Sequence, residues 1–297
     1  MRSDVLISEV LAKCDVLKKA TFWAPEPRIR PRAWIRNFDE VDRPLAALLL
    51  DRFVFYNQRF TDALLVASYQ SIGDGLSKGP NAPPVPDLLR ALASAVFSPV
   101  TGESPNPTDS GYLLCRKARQ LLSIPENLIV NTDIALTHAY WGRPIVFLDD
   151  FVGSGDQFLK TWNRVTLNRS FVDAKAKTRF IAIYITLVTT DWGLQNIYKQ
   201  VPDVAVCATH VLEDKNTVAG LIQGNLVSSF ELDAFLSKYA QRLTPKELYI
   251  SNDTEYLKYG YKKRGLLFGF EHSIPDATLP VFWSPGNNNW EPLIERN

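Results

Sequence analysis

The chain of 297 residues is poor in cysteine, with three. Cys14, Cys115 and Cys207 lie far apart, are odd in number and follow no metal-ligand spacing. That excludes a disulfide framework and a zinc module and points to reduced cytoplasmic thiols. Histidines also number three and form no cluster with the cysteines. Neither sign of charge prevails, with 33 basic against 32 acidic residues, so nothing global marks a nucleic-acid or membrane-surface binder. The longest apolar run, around residues 180–188, is about half what a bilayer span needs. Met1-Arg2-Ser3-Asp4 lacks the layout of a secretory leader. There is no internal repeat, no low-complexity tract and no nucleophile elbow. What remains is a cytoplasmic globular protein, whose 46% apolar content suffices for one large or two modest domains.

The informative stretch is 145–157. Ile145, Val146, Phe147 and Leu148, preceded by Gly142-Arg143-Pro144, read as a short buried strand. It runs into Asp149 and Asp150, then into the turn Gly153-Ser154-Gly155 and a segment of helical character from Asp156 and Gln157 onward. Glycines let backbone amides converge on a phosphate, and a helix start adds favourable partial charge. Two carboxylates just before such a turn suit sugar hydroxyls or a hydrated divalent metal. Phosphate donors beside diol acceptors describe a ribose-phosphate site.

This order resembles the phosphoribosyl-diphosphate signature of type I phosphoribosyltransferases, in which an acidic pair is followed within a few residues by a small hydroxyl residue and glycine. Asp149 and Asp150 match the pair, Ser154 the hydroxyl position and Gly155 the glycine. The family usually has small residues where Asp156 and Gln157 stand, and a carboxylate at 156 repels a 5′-phosphate unless it points outward. The resemblance implies Mg²⁺-dependent transfer or hydrolysis at the anomeric carbon of phosphoribosyl diphosphate or a nucleotide. In it, Asp149 and Asp150 hold the ribose hydroxyls and, through water, the metal. Gly153, Ser154, Gly155, Asp156 and Gln157 surround the 5′-phosphate. In such enzymes the loop after the first core strand holds the pyrophosphate; Ser98, Thr101 and Gly102 are its candidates here. That loop lacks the usual basic residue and paired glycines, and it reads equally as a plain surface loop.

Along the chain, the pattern predicts an N-terminal helical module over 1–86 and a phosphoribosyltransferase-like domain with a C-terminal extension over 87–297. Residues 73–86, rich in glycine and proline, read as a linker or exposed loop. Strands are expected at 95–100, 127–130, 145–148, 180–188 and 204–208, with helices between them, which predicts a parallel α/β sheet with ligand at the carboxyl ends of its strands. Arg28, Arg30, Arg32 and Arg36 in a proline-rich stretch suit nucleic-acid phosphates or a linker over an acidic surface, and the second reading is favoured. His138 and His272 read as candidate acids or bases or as packed structural residues.

The C-terminal stretch is rich in aromatics and prolines, which predicts a tail folded onto the core. Together with residues 34–38 and the 149–157 signature, it resembles the phosphoribosyltransferase-like proteins of bacterial conflict and anti-phage operons. That implies other protein components of a defence operon as partners. Two alternatives share the pocket without the chemistry: a non-catalytic nucleotide-sensing or assembly component, and an interaction protein whose pocket is vestigial.

Overall fold

The computed structural model describes residues 2–77, 79–101, 105–106, 108–245 and 253–296. Its strands are β1 (Val54–Tyr56), β2 (Val96–Pro99), β3 (Ile145–Val152), β4 (Ala182–Thr190), β5 (Ala205–Leu212) and β6 (Phe268–Phe270). The chain forms two compact units, one of residues 60–212 and one of residues 1–59 with 213–297. The expected α/β class with a parallel sheet holds.

In the unit of residues 60–212, β2, β3, β4 and β5 form one sheet in that order, every pair parallel. Helices Ser110–Leu121 and Thr132–Tyr140 join β2 to β3, and helices Asp156–Asn163 and Phe171–Thr178 join β3 to β4. Helix Asp191–Gln200 joins β4 to β5. β4 is buried along its whole length, as a central parallel strand is. Phe147, Phe158, Trp162, Phe171 and Tyr184 pack as an aromatic core on one side of the sheet.

Two local expectations change. No strand forms over 127–130. Glu126–Leu128 is a single 3₁₀ turn, Ile129 makes one isolated bridge to Phe97, and Asn131 already caps the next helix, so no length remains for a ladder. β3 is also longer than 145–148 and carries both carboxylates inside it rather than after it.

The compact units do not follow a boundary after residue 86. Helix Gln58–Gln70 and the glycine- and proline-rich segment run with the sheet, and the aromatic tail joins the N-terminal helices. Composition drives this second core. Trp34 stacks on Phe282 at 5.0 Å, Phe38 on Phe235 at 5.3 Å, and the Trp34 indole N–H donates to Val281 O at 2.7 Å. β1 and β6, from opposite ends of the chain, pair in parallel. Trp283 and Trp290 are 2% and 6% exposed, so the C-terminal stretch is folded as expected. In the same unit, Arg30 pairs with Glu291 at 3.1 Å and Glu295 at 2.6 Å, Arg32 pairs with Asp15, and Arg28 donates to the Glu271 carbonyl. Three of the four arginines of that stretch thus face carboxylates or a carbonyl.

Candidate functional site

The acidic pair sits at the carboxyl end of β3. β2 pairs with β3 only as far as Pro99↔Leu148, so β3 continues past its neighbour. The first turn of helix Ser110–Leu121 takes up the space. A Cβ on Gly111 would lie 2.5 Å from Val100 O and 3.0 Å from Leu148 O, so only glycine lets the helix come down on the two strand ends. This approach puts the Ser110 hydroxyl 3.0 Å from Asp149 Oδ1 and 2.8 Å from Asp150 Oδ1. One hydroxyl proton serves one carboxylate at a time, so Ser110 bridges the pair as donor to one and neighbour to the other.

Asp149 and Asp150 are 1% and 5% exposed. Asp149 accepts further hydrogen bonds from the Asp150 amide at 3.0 Å and from the Tyr184 hydroxyl at 3.2 Å. These donors explain how two carboxylates fit within a buried strand. They do not offset the burial. Desolvation, and then the charge of Asp150, push the Asp149 carboxyl well above the ordinary carboxylate range. Burial and the same carboxylate push the Tyr184 phenol up, so it stays a donor. Cys115, near Asp149, is pushed up to about 12 by burial first, which makes it an inert thiol. Tyr184→Phe removes one donor from Asp149 and is expected to cost about 1 kcal/mol of stability, read from the denaturant midpoint.

The turn after β3 leads directly into a helix through a left-handed glycine. Gly155 takes a left-handed conformation, φ 78°, and caps helix Asp156–Asn163. Ser154 Oγ accepts from the Asp156 amide at 3.2 Å, which leaves its hydroxyl proton to donate. Helix Asp191–Gln200 fixes the turn from the next strand. Thr190 Oγ1 donates to Gly153 O at 2.5 Å, and Asn196 Nδ2 donates to Ser154 O at 2.8 Å. Asn196 also reaches Asp156 Oδ1 at 3.4 Å. The departure at 156 thus has a partner on the neighbouring helix. Gln157 occupies the next position of the same first turn and is half-buried.

The candidate pyrophosphate loop is less open. Ser98 lies within β2, fully buried, and its hydroxyl turns to Pro99 O at 3.4 Å. Thr101 is fully buried. Its amide donates to Thr161 Oγ1 at 3.3 Å, its carbonyl accepts from the same hydroxyl at 2.9 Å, and its Oγ1 accepts from Arg164 Nη1 at 3.0 Å. Gly102 lies outside the described residues. His138 stands before β3 begins, edge-on to Trp141 at 5.2 Å, whereas the carboxylates are at that strand's other end. Burial, and then Arg143, hold its imidazole below the ordinary histidine range. His272 belongs to the other unit and stacks on Phe270 at 4.9 Å.

Sequence reasoning missed Ser110, Tyr184 and Asn196. Ser110-Gly111 closing the loop after the first strand was a readable signal, because serine and glycine suit a helix start. Tyr184 lay hidden in an apolar run, and nothing local marks Asn196.

Among the described residues no helix is long and apolar enough to cross a membrane, and no three metal-ligating side chains gather. None of the curated proteins matches the chain. Residues 31–296 match the family described as PRTase-CE. With the acidic pair and the Gly-Ser-Gly turn at the end of a parallel strand inside that match, the chain is a phosphoribosyltransferase-like protein and belongs to the PRTase-CE family.

Proposed function

We propose that the β3 site binds a ribose phosphate, either phosphoribosyl diphosphate or a nucleotide. The observation that carries this reading is the pairing of the bridged carboxylates Asp149 and Asp150 with the fixed turn at 153–155, one strand end supplying diol acceptors and phosphate donors. Ribose hydroxyls donate to the carboxylates. The 5′-phosphate lies over the turn, against the amides that open helix Asp156–Asn163 and the Ser154 hydroxyl. Asp156 Oδ1 lies 3.4 Å from Asn196 Nδ2, a donor that offsets part of its charge beside the turn.

The donor set fits Mg²⁺. Two buried adjacent carboxylates that resist joint ionisation gain from a cation, and this ion is commonly held by one or two carboxylates with water and substrate phosphate. Asp149 and Asp150 would hold it through water, where it would supply charge to a departing diphosphate. Family membership supports phosphoribosyl transfer in general. Its place in a bacterial anti-phage system beside other operon proteins is part of the same proposal, resting on the sequence resemblance. One observation favours a second reading, a nucleotide-sensing or assembly role without turnover. The loop at 101–109 has no lysine or arginine to meet a diphosphate, and Thr101 is committed to Thr161 and Arg164.

Thermal shift with phosphoribosyl diphosphate and with nucleotides, with and without Mg²⁺, tests the reading. Stabilisation by a ribose phosphate is expected, and none by any of them refutes it. Ser154→Ala is expected to weaken that binding by about 0.5–1.5 kcal/mol, seen by calorimetric titration.

A further inference from the structure

A second surface lies near the amino-terminal ends of the strands, away from the carboxylates. From 160 to 179 the chain carries Lys160, Arg164, Arg169, Lys175, Lys177 and Arg179 against the single carboxylate Asp173, although the whole chain has a net charge of +1. Asp173 is occupied by the Ser170 hydroxyl at 2.7 Å, and Lys175 by Asp203 at 2.7 Å. Arg169, Lys177 and Arg179 are exposed.

Aromatics stand among these cations. Arg169 lies 5.2 Å and Lys177 5.0 Å from the centre of the Tyr140 ring. Trp141 follows at the end of helix Thr132–Tyr140 and is 73% exposed. Of the seven tryptophans, five are buried and Trp192 is half-buried. The two segments are held together, since the Thr178 hydroxyl donates to Ala139 O at 2.9 Å. A cavity of about 550 Å³ lies on the other side of helix Phe171–Thr178, edged by Arg179, Asn81 and Gln200.

Helix dipoles account for part of this charge. Lys175, Lys177 and Arg179 close helix Phe171–Thr178, where cations are favoured. Arg169 precedes the start of that helix, where a cation is disfavoured, and the dipole gives no reason to leave a tryptophan in water. Cations track a phosphate backbone, and an exposed indole offers a face on which an unpaired base stacks. A carboxylate-rich protein would use the cations and leave Trp141 without a role.

We propose that this face binds single-stranded nucleic acid, with phosphates on Arg169 and Lys177 and a base stacked on Trp141. This is independent of the ribose-phosphate reading, because no residue is shared between the two sites.

The test is fluorescence anisotropy of the full chain with labelled oligothymidine and oligouridine of about 12 nucleotides. Two phosphate contacts predict an affinity loss of roughly 7-fold between about 50 and 200 mM salt. Trp141→Ala is expected to weaken binding roughly 5- to 100-fold. Arg169→Glu with Lys177→Glu is expected to weaken it further and flatten the salt dependence, with the thermal midpoint lowered by only a few degrees, since these exposed side chains lose the Tyr140 contacts and the helix-end charge but no buried packing. Absence of binding at low salt overturns the proposal, as does binding that both variants retain. Displacement of the oligonucleotide by polyglutamate, with Trp141→Ala behaving as wild type, also overturns it in favour of an acidic protein partner.

Discussion

Asp149→Asn combined with Asp150→Asn is expected to abolish stabilisation by phosphoribosyl diphosphate or nucleotide while leaving the ligand-free protein folded. A ribose hydroxyl bonded to the ionised carboxylate is worth about 1.5–3 kcal/mol and one bonded to its protonated neighbour about 0.5–1.5 kcal/mol, so losing both weakens binding by a factor on the order of 30 or more. The same change is expected to raise the stability of the free protein at neutral pH. Asp149 has its carboxyl pushed above the ordinary range by burial and by Asp150. Between the ordinary carboxylate value and that raised value the folded protein keeps a proton that the unfolded chain has lost. Stability therefore falls as pH rises through this window. Asparagine at 149 removes that slope, which urea midpoints measured from pH 4 upward will show. A variant that binds its ribose phosphate undiminished removes these residues from the site.

Gly155→Val is expected to be the most damaging single change at the turn, through the fold as much as through the ligand. Gly155 has φ 78°, a conformation that a branched residue resists by about 1–2 kcal/mol or more. Its Cβ would also stand 2.9 Å from Gly193 O and 2.9 Å from Ile197 Cγ1. The added side chain thus drives into helix Asp191–Gln200, and such overpacking costs about 1–3 kcal/mol more. The summed loss, about 2–5 kcal/mol, will appear as a lower thermal midpoint without ligand. An unchanged midpoint would mean that the turn is looser than these contacts imply. Ser154→Ala is for this reason the cleaner probe of phosphate binding.

The parallel sheet was legible because β3 and β4 are near-continuous apolar runs, and the turn because glycine, serine and glycine follow an acidic pair in order. The full length of β3 was not legible. Two aspartates end a strand by any local rule, and here they are absorbed because Ser110 and Tyr184 supply donors from afar, beside the local donor of the Asp150 amide. The division into units escaped for a similar reason. β1 and β6 have three residues each and pair across more than 200 positions, which no window of local periodicity registers. The aromatic density of the tail did announce burial, yet its partners Trp34 and Phe38 follow from packing alone.

The central claim is that one strand end holds both parts of a ribose phosphate, and a crystal structure with phosphoribosyl diphosphate and Mg²⁺ tests it most directly. The account predicts the 5′-phosphate on the turn at 153–155 and the amides that follow it, with the ribose hydroxyls against Asp149 and Asp150. A ligand whose phosphate sits elsewhere, for instance beside Lys175 and Arg179, with Asp149 and Asp150 untouched, would contradict it.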